Sequence, residues 1–448
     1  MTNIIHLNPL TMTKYLRRAG LLSAAWLGLF PMGAQAAILP VTNTNDNGPG
    51  SLREAVSIAV SGDVIVFDAT TNGSPIVLTT GEIAIGVPLT ITGNDTTNTI
   101  ISGGGMFRVF NIADAGMVNI DGVKLTMGFS ATEGGALRVN NTTLSLTGSA
   151  VTASVAGMRG GGIHISGGSL ALVGSWVRAN TAMGPAATDG GGGIYNQAGA
   201  VTISSGSAVV SNVANGTAGS GGGIFNNAAG MLTVSNSSIT GNSAVRAGGG
   251  IEQNAAGSSI MLTDVMLNMN STGGNPGNGG GMHITGPGSA TITGGTVNGN
   301  FAALEGGGLW NGTGSMTVNG TTINGNTAAG ALADQGGGGI FNNAKGTLIV
   351  ENGTMITNNM ATGAAGSGGG ILCDSTATLT VANSTIDGNS APRAGGGIEF
   401  FAKAGQMQTA SLTNVTLSDN STGSAPGNGG GVHITGPGTM TITGCTVT

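Results

Sequence analysis

Six acidic side chains in the repetitive part of the chain, Asp189, Glu252, Asp264, Glu305, Asp334 and Glu351, are the first candidates for chemistry. Polysaccharide hydrolysis needs two carboxylates at a fixed separation, and β-elimination needs calcium-binding aspartates with an arginine. These acids occupy different places in their repeats, and no two acids are neighbours in the sequence. His164, His283 and His433 share one place in the repeat but lie four and five repeats apart, or about 19 and 24 Å at strand spacing, too far to share a metal. Cys373 and Cys445 lie two repeats apart at different places; about 10 Å of stacking separates them, so no disulfide is expected. The glycine runs lack the following helix with Lys and Ser or Thr that a phosphate loop requires, and lack the aspartate of calcium-binding nonapeptides. No catalytic residue, metal site or cofactor is assigned.

Binding is a different matter, because two sets of residues recur at positions expected to face outward. The residue after the aliphatic that follows each glycine run is Arg138, His164, Tyr195, Phe225, Glu252, His283, Trp310, Phe341, Leu372, Glu399 or His433. Such indifference to polarity predicts an outward column, and neighbouring Tyr195 with Phe225, and Trp310 with Phe341, could stack on sugar rings or dock a partner. The second set is a threonine and serine face: Thr202 with Ser204, Thr233 with Ser235, Thr291 with Thr293 and Thr441 with Thr443. A flat threonine array can order water or ice, although threonine also simply suits strands.

What positions these columns is one stretch written repeatedly, of which GGGIFNNAAGMLTVSNSSITGN, ending at Asn242, is a clear copy. Leu232 and Val234 alternate with polar residues, the period of a half-buried strand. One pair of short strands is marginal alone, so the copies must stack. The aliphatic after the glycines falls at Leu137, Ile163, Ile194, Ile224, Ile251, Met282, Leu309, Ile340, Ile371, Ile398 and Val432, eleven copies some 26 to 34 residues apart. That period with β-branched content and no i, i+3, i+4 apolar pattern predicts a right-handed parallel β-helix. An inward aliphatic is followed three residues later by Asn180, Asn212, Asn242, Asn270, Asn300, Asn326, Asn359, Asn389 or Asn420, with Ser154 in the first copy. These predict an asparagine ladder at a turn, each amide bonding the next coil.

Ahead of the array, Lys14, Arg17 and Arg18, the apolar run 19–30 and Ala34-Gln35-Ala36 read as a signal peptide over 1–36, so the protein is expected to be exported, with no transmembrane segment in the mature chain. Its removal leaves ten basic against nineteen acidic side chains, a balance unsuited to nucleic acid. In the segment 37–88, Ser51 and Glu54 form a capping box for a short helix carrying Leu52, Ala55, Val56 and Ala59, ended by Gly62 and followed by a strand at Val64. That helix is expected to cap the open end of a solenoid running over 89–448, irregular at first and regular from Gly134.

The segment GPGSLREAVSIAVSGDVIVFD, followed by LTITGN, FRVFNIADAG and the repeated GGGIFNNAAGMLTVSNSSITGN, resembles bacterial right-handed parallel β-helix surface proteins with an N-terminal SLREA segment. It is similar to the chlamydial polymorphic outer membrane proteins with their GGAI-type repeats. The resemblance implies a secreted, surface-anchored or autotransported, often adhesive protein, extracellular or at the outer membrane or cell surface of a bacterium. With the acids scattered, a non-catalytic monomer is expected, with surface glycans or a host or neighbouring cell surface as partners. The alternatives are a β-helix polysaccharide lyase or hydrolase and, more remotely, a water-ordering protein.

Loop lengths add a higher-order pattern. From each ladder position to the next inward aliphatic there are 9, 14, 12, 9 and 12 residues, and the same five numbers follow in the same order. The array is thus a duplicated five-coil block, with a third opening at Gly431. Features of one block should recur about 24 Å along the axis, making a binding face with Tyr195 and Phe225, repeated as Phe341 and Leu372, multivalent. The eleventh copy stops at Thr448 before its asparagine, so the chain is expected to continue.

Overall fold

The computed structural model describes residues 36–448 apart from 228, 255, 256, 404, 407, 424 and 425. The expected signal peptide lies, except for Ala36, outside the described residues. Ile38–Thr448 is one compact unit, a parallel β-solenoid with sheets of 26, 14 and 11 strands.

A regular coil has four short strands. In the copy that begins at Ile224 they are Ile224–Asn227 and Met231–Ser235 in the 26-stranded sheet, Ser238–Thr240 in the 14-stranded sheet and Ser243–Ala244 in the 11-stranded sheet. The inward aliphatics stack in strict register from Leu137 through Ile163, Ile194, Ile224 and Ile251 to Val432. Within the coil Leu232, Val234 and Ile239 join Ile224 in one continuous core. Each such side chain contributes roughly 1.5–3 kcal/mol by leaving water, but only because coils above and below close the ends of its layer.

The asparagine ladder forms as the spacing predicts. Asn326 shows the unit: its Nδ2 donates to Val297 O at 2.8 Å and to Asn359 Oδ1 at 2.8 Å, while its own Oδ1 accepts from the backbone N–H and the Nδ2 of Asn300. The same pattern joins each neighbouring pair from Asn180 to Asn420. The residue before each ladder asparagine has a left-handed backbone, with φ 55° at Ala179 and Ser211, 65° at Gly241 and 50° at Asp419. The ladder bonds, together with those from Ala179 N to Val210 O and from Ser211 N to Thr240 O, hold alanine and serine in that unfavourable region. The glycine run obeys the steric argument directly: Gly191 has φ 62°, and a Cβ on Gly192 would lie 2.4 Å from Gly222 O.

A second interior row runs through Asn196 and Asn226, and through Asn311 and Asn342, joined at 2.7 and 2.8 Å. It had no counterpart in the sequence reading, because those asparagines lie two residues after the aliphatic with Gln253, Ile284 or Cys373 standing in other copies. Cys373 is buried in this row, Cys445 is half-buried, and the two are not bonded.

At the start, the capping pair forms with one shift: Ser51 Oγ accepts from Glu54 N, while Glu54 Oε2 accepts from Gly50 N rather than from Ser51 N, which bonds Gly48 O, and helix α1, Leu52–Ile58, opens there. Leu52, Ala55 and Val56 enter the main core. Two boundaries shift. Helix α1 ends at Ile58, with Gly62 in the following turn, and the parallel ladder begins not at residue 89 but at Ile38–Val41, which pairs with Val64–Phe67, which in turn pairs with Leu89–Thr92. The first coils lack the glycine template, so their stacking left no periodic trace.

Candidate functional site

The column after the glycines does leave the core side of its strand, but most of it does not reach water; Arg138 and His433 are half-buried. Tyr195 and Phe225 are 0% exposed, Phe341 2% and Trp310 7%, so the expectation that these four offer an open aromatic face is corrected. The loops between ladder and glycines fold over them. Tyr195 Oη donates to Thr188 O in such a loop and accepts from Asn227 Nδ2; Trp310 Nε1 donates to Glu305 Oε2. Beneath this roof the rings stack along the axis, with centroids 5.4 Å apart for His164 and Tyr195, 4.9 Å for Tyr195 and Phe225, 4.1 Å for His283 and Trp310, and 5.9 Å for Trp310 and Phe341. Trp310, Phe341 and Leu372 form an apolar cluster separate from the main core. Alternation set the direction of these side chains; loop folding, which alternation does not encode, set their burial.

The same roof brings together charges that the sequence treats as scattered. Glu252 and His283 occupy the column on adjacent coils, and Glu252 Oε2 lies 2.9 Å from His283 Nδ1 while Thr285 donates to its other oxygen and Arg246 stands 3.9 Å away. The arrangement recurs with Glu399, His433, Thr435 and Arg393 at 3.0, 2.7 and 3.3 Å from the carboxylate. Burial pushes the Glu399 carboxyl up, opposed by Thr435, His433 and Arg393. The signal was present as column neighbours, Glu then His, in both blocks. Comparing histidines only with one another missed it.

Two other groups are strongly perturbed. Burial, together with Arg138, Arg159 and Arg108, depresses His164 to about 3, and neither of its ring nitrogens is hydrogen-bonded. Burial raises Glu305 to about 7 against its bond from Trp310; Asp334 and Asp374 share Lys403 near it, at 3.4 and 3.9 Å. Among the described residues no three His, Cys, Asp or Glu side chains are placed to hold a metal ion.

Open surface of a kind suited to a ligand occurs on the outer face of the 14-stranded sheet. Trp176, 54% exposed, Ala208, Ser238 and Met266 are register partners on four successive strands. Bulky Trp176 and Met266 stand at either end of small Ala208 and Ser238, leaving a groove of about 500 Å³. Arg178, Val210, Thr240 and Asn268 line it in a parallel row. The face follows from strand alternation, since Val177, Val209, Ile239 and Leu267 between them point into the core. The threonine and serine pairs also lie outward or half-outward, but their row is interrupted: Met261 stands between Thr233 and Thr291, and Ile349 between Thr317 and Thr380.

No protein-family model matches the chain, and no curated protein sequence matches it. Among solved structures it is similar to the A-module of the mannuronan C-5 epimerase AlgE6 of Azotobacter vinelandii, with a TM-score of 0.34 and 11% identity over 91% of this chain and 97% of that one. ORF18 of Geobacillus virus E2 gives a TM-score of 0.26 and 11% identity over 94% and 64%. The catalytic domain of a GH87 α-1,3-glucanase gives 0.21 and 13% over 90% and 69%. These likenesses are distant, and no residue role is carried over from them.

Proposed function

We propose that this protein is an exported, adhesin-like β-helix scaffold of a bacterial surface that binds glycan on the outer face of its 14-stranded sheet. The observation that carries the reading is the Trp176 groove: an open indole beside a floor of small side chains, on a rigid sheet, with polar Thr240 and Asn268 along one side. An aromatic face stacks on sugar rings while hydroxyls bond the polar row, and a preformed sheet spends little ordering entropy on binding. The SLREA segment and the glycine-run repeats support the surface setting. The multivalent face expected from Tyr195 and Phe225 gives way to a single groove, because the register equivalents of Trp176 and Arg178 one block on are Thr322 and Asn324.

Affinity electrophoresis against a panel of neutral and acidic polysaccharides tests this. Binding to at least one polymer is expected, with Trp176→Ala weakening it about tenfold, the scale of one lost ring contact. If no polymer retards the protein, or Trp176→Ala binds as well as the parent, the reading falls. The alternative of a β-helix lyase or hydrolase has one feature in its favour, the Glu305 carboxyl raised to about 7 beside two further acids. Release of reducing ends or unsaturated products, lost in Glu305→Gln, would establish that alternative instead.

A further inference from the structure

We infer that the groove selects acidic polysaccharide, with Arg178 reading a sugar carboxylate while Trp176 stacks on the ring. This rests on the glycan reading above and narrows it to a class of ligand.

The argument starts from how the chain uses arginine. Seven arginines are described, and five of them, Arg53, Arg108, Arg159, Arg246 and Arg393, each pair with an acid. Arg138 is half-buried in the roofed column. Arg178 alone is exposed without a carboxylate partner among the described residues, although the chain carries 19 acids against 13 bases and partners are plentiful. It is also the one charged residue lining the groove. Thus the groove is a local cationic point on an acidic protein, and its charge complements an anionic ligand rather than a neutral or basic one.

Geometry supports the pairing of roles. Trp176 and Arg178 lie two residues apart on one strand, so both point outward and their Cα atoms are roughly 7 Å apart. A carboxylate on the edge of a sugar ring stacked over Trp176 falls within reach of a guanidinium at that distance. The guanidinium is planar and meets a carboxylate through two parallel N–H bonds, which a hydroxymethyl group cannot accept. Trp176 and Met266 are three strand spacings apart along the axis, roughly 14 Å, enough for a short oligosaccharide lying across the strands. One block further on the charge reverses. Asn324 replaces Arg178 and Asp387 replaces Thr240, so that face repels the same ligand and does not repeat the site.

The test uses one polymer in two forms: a polyuronate, and the same chain with its carboxylates chemically reduced to the neutral hexose. The full protein is expected to bind the polyuronate at least tenfold more tightly, with the difference shrinking as salt rises. Arg178→Gln should erase the preference while leaving weak Trp176-dependent binding, and Arg178→Lys should restore part of it. Equal binding of the two forms by the parent protein, or a preference that survives Arg178→Gln, overturns the inference. If neutral polysaccharides alone bind, and Trp176→Ala abolishes that binding, the glycan reading stands and the acidic specificity falls. If no polysaccharide binds, both fall. Sedimentation showing a dimer that Trp176→Ala dissociates also overturns it, since a second copy would then occupy the groove.

Discussion

The coils beginning at Ile163 and Leu309 occupy the same place in the two five-coil blocks, and they solve the same geometry with opposite charge. In the first, Arg159 bonds Asp189 at 2.8 Å, lies over the Tyr195 ring and stands beside His164. In the second, the equivalent residues are Glu305, Gln335, Phe341 and Trp310, and Glu305 instead accepts from Trp310. The loop itself is unchanged: Asp189 accepts from Ala186 N just as Gln335 accepts from Leu332 N, three residues back. Backbone shape therefore does not come from the roofed column. It comes from the ladder, the glycines and the register they share, which frees the column and the outer face to diverge while the solenoid stays the same.

The most severe test of that separation is to remove the shared element from both blocks. Asn326→Leu leaves the Asn300 N–H and the Val297 carbonyl short of a partner inside the protein and takes one of the two acceptors of Asn300 Nδ2, and should cost roughly 4 kcal/mol, at 1–3 kcal/mol per orphaned group. Asn180→Leu removes one bond fewer, because Ser154 offers only its backbone N–H to the Asn180 Oδ1, so roughly 3 kcal/mol is expected. Chemical denaturation compares them. If either melts like the parent, the ladder is not what holds the turns.

The duplicated carboxylates come next. Glu252 is fully buried, with His283 only 3% exposed against it, whereas His433 beside Glu399 is 24% exposed. Glu252→Ala strands a buried histidine beside a half-buried arginine and should cost roughly 3 kcal/mol. Glu399→Ala should cost about half as much, since water reaches His433 and replaces part of what is lost. Equal costs measured by thermal unfolding would show that exposure does not separate the two clusters.

How much of this was legible follows from what each feature depends on. The solenoid, the ladder and the duplication were readable because each repeats a residue type at a fixed place, and Asn180 to Asn420 needed only counting. The direction of Phe225 was readable from alternation, yet its burial was not, since it depends on where residues 213–220 and their counterparts fold. The groove depends on contrast between neighbouring strands, large Trp176 and Met266 against small Ala208 and Ser238, and a search for repetition passes over an exception. The Glu252 and His283 pair lay in a column already aligned, and required comparing different residue types on adjacent coils.

The charge reversal between the blocks predicts opposite pH responses, the smallest effect of the three. Glu305 is an acid whose folded value is raised to about 7 from its ordinary 4.5. Its contribution is fully present below about 4.5 and is lost as pH rises toward 7, because the unfolded chain ionises first. Glu305→Gln keeps an acceptor for Trp310 and should stabilise the protein at pH 8 by roughly 2 kcal/mol while changing little at pH 4. His164 is a base whose folded value falls to about 3 from 6.5, so its contribution is present above 6.5 and lost as pH falls toward 3. His164→Phe fills the stack beside Tyr195 without a titrating group and should gain roughly 2 kcal/mol at pH 5, with little change at pH 8. Unfolding curves for the two variants across pH 4–8 should therefore cross. Parallel curves would mean that burial beneath the loops leaves these two groups as they are in water, and the contrast between the blocks would be one of composition alone.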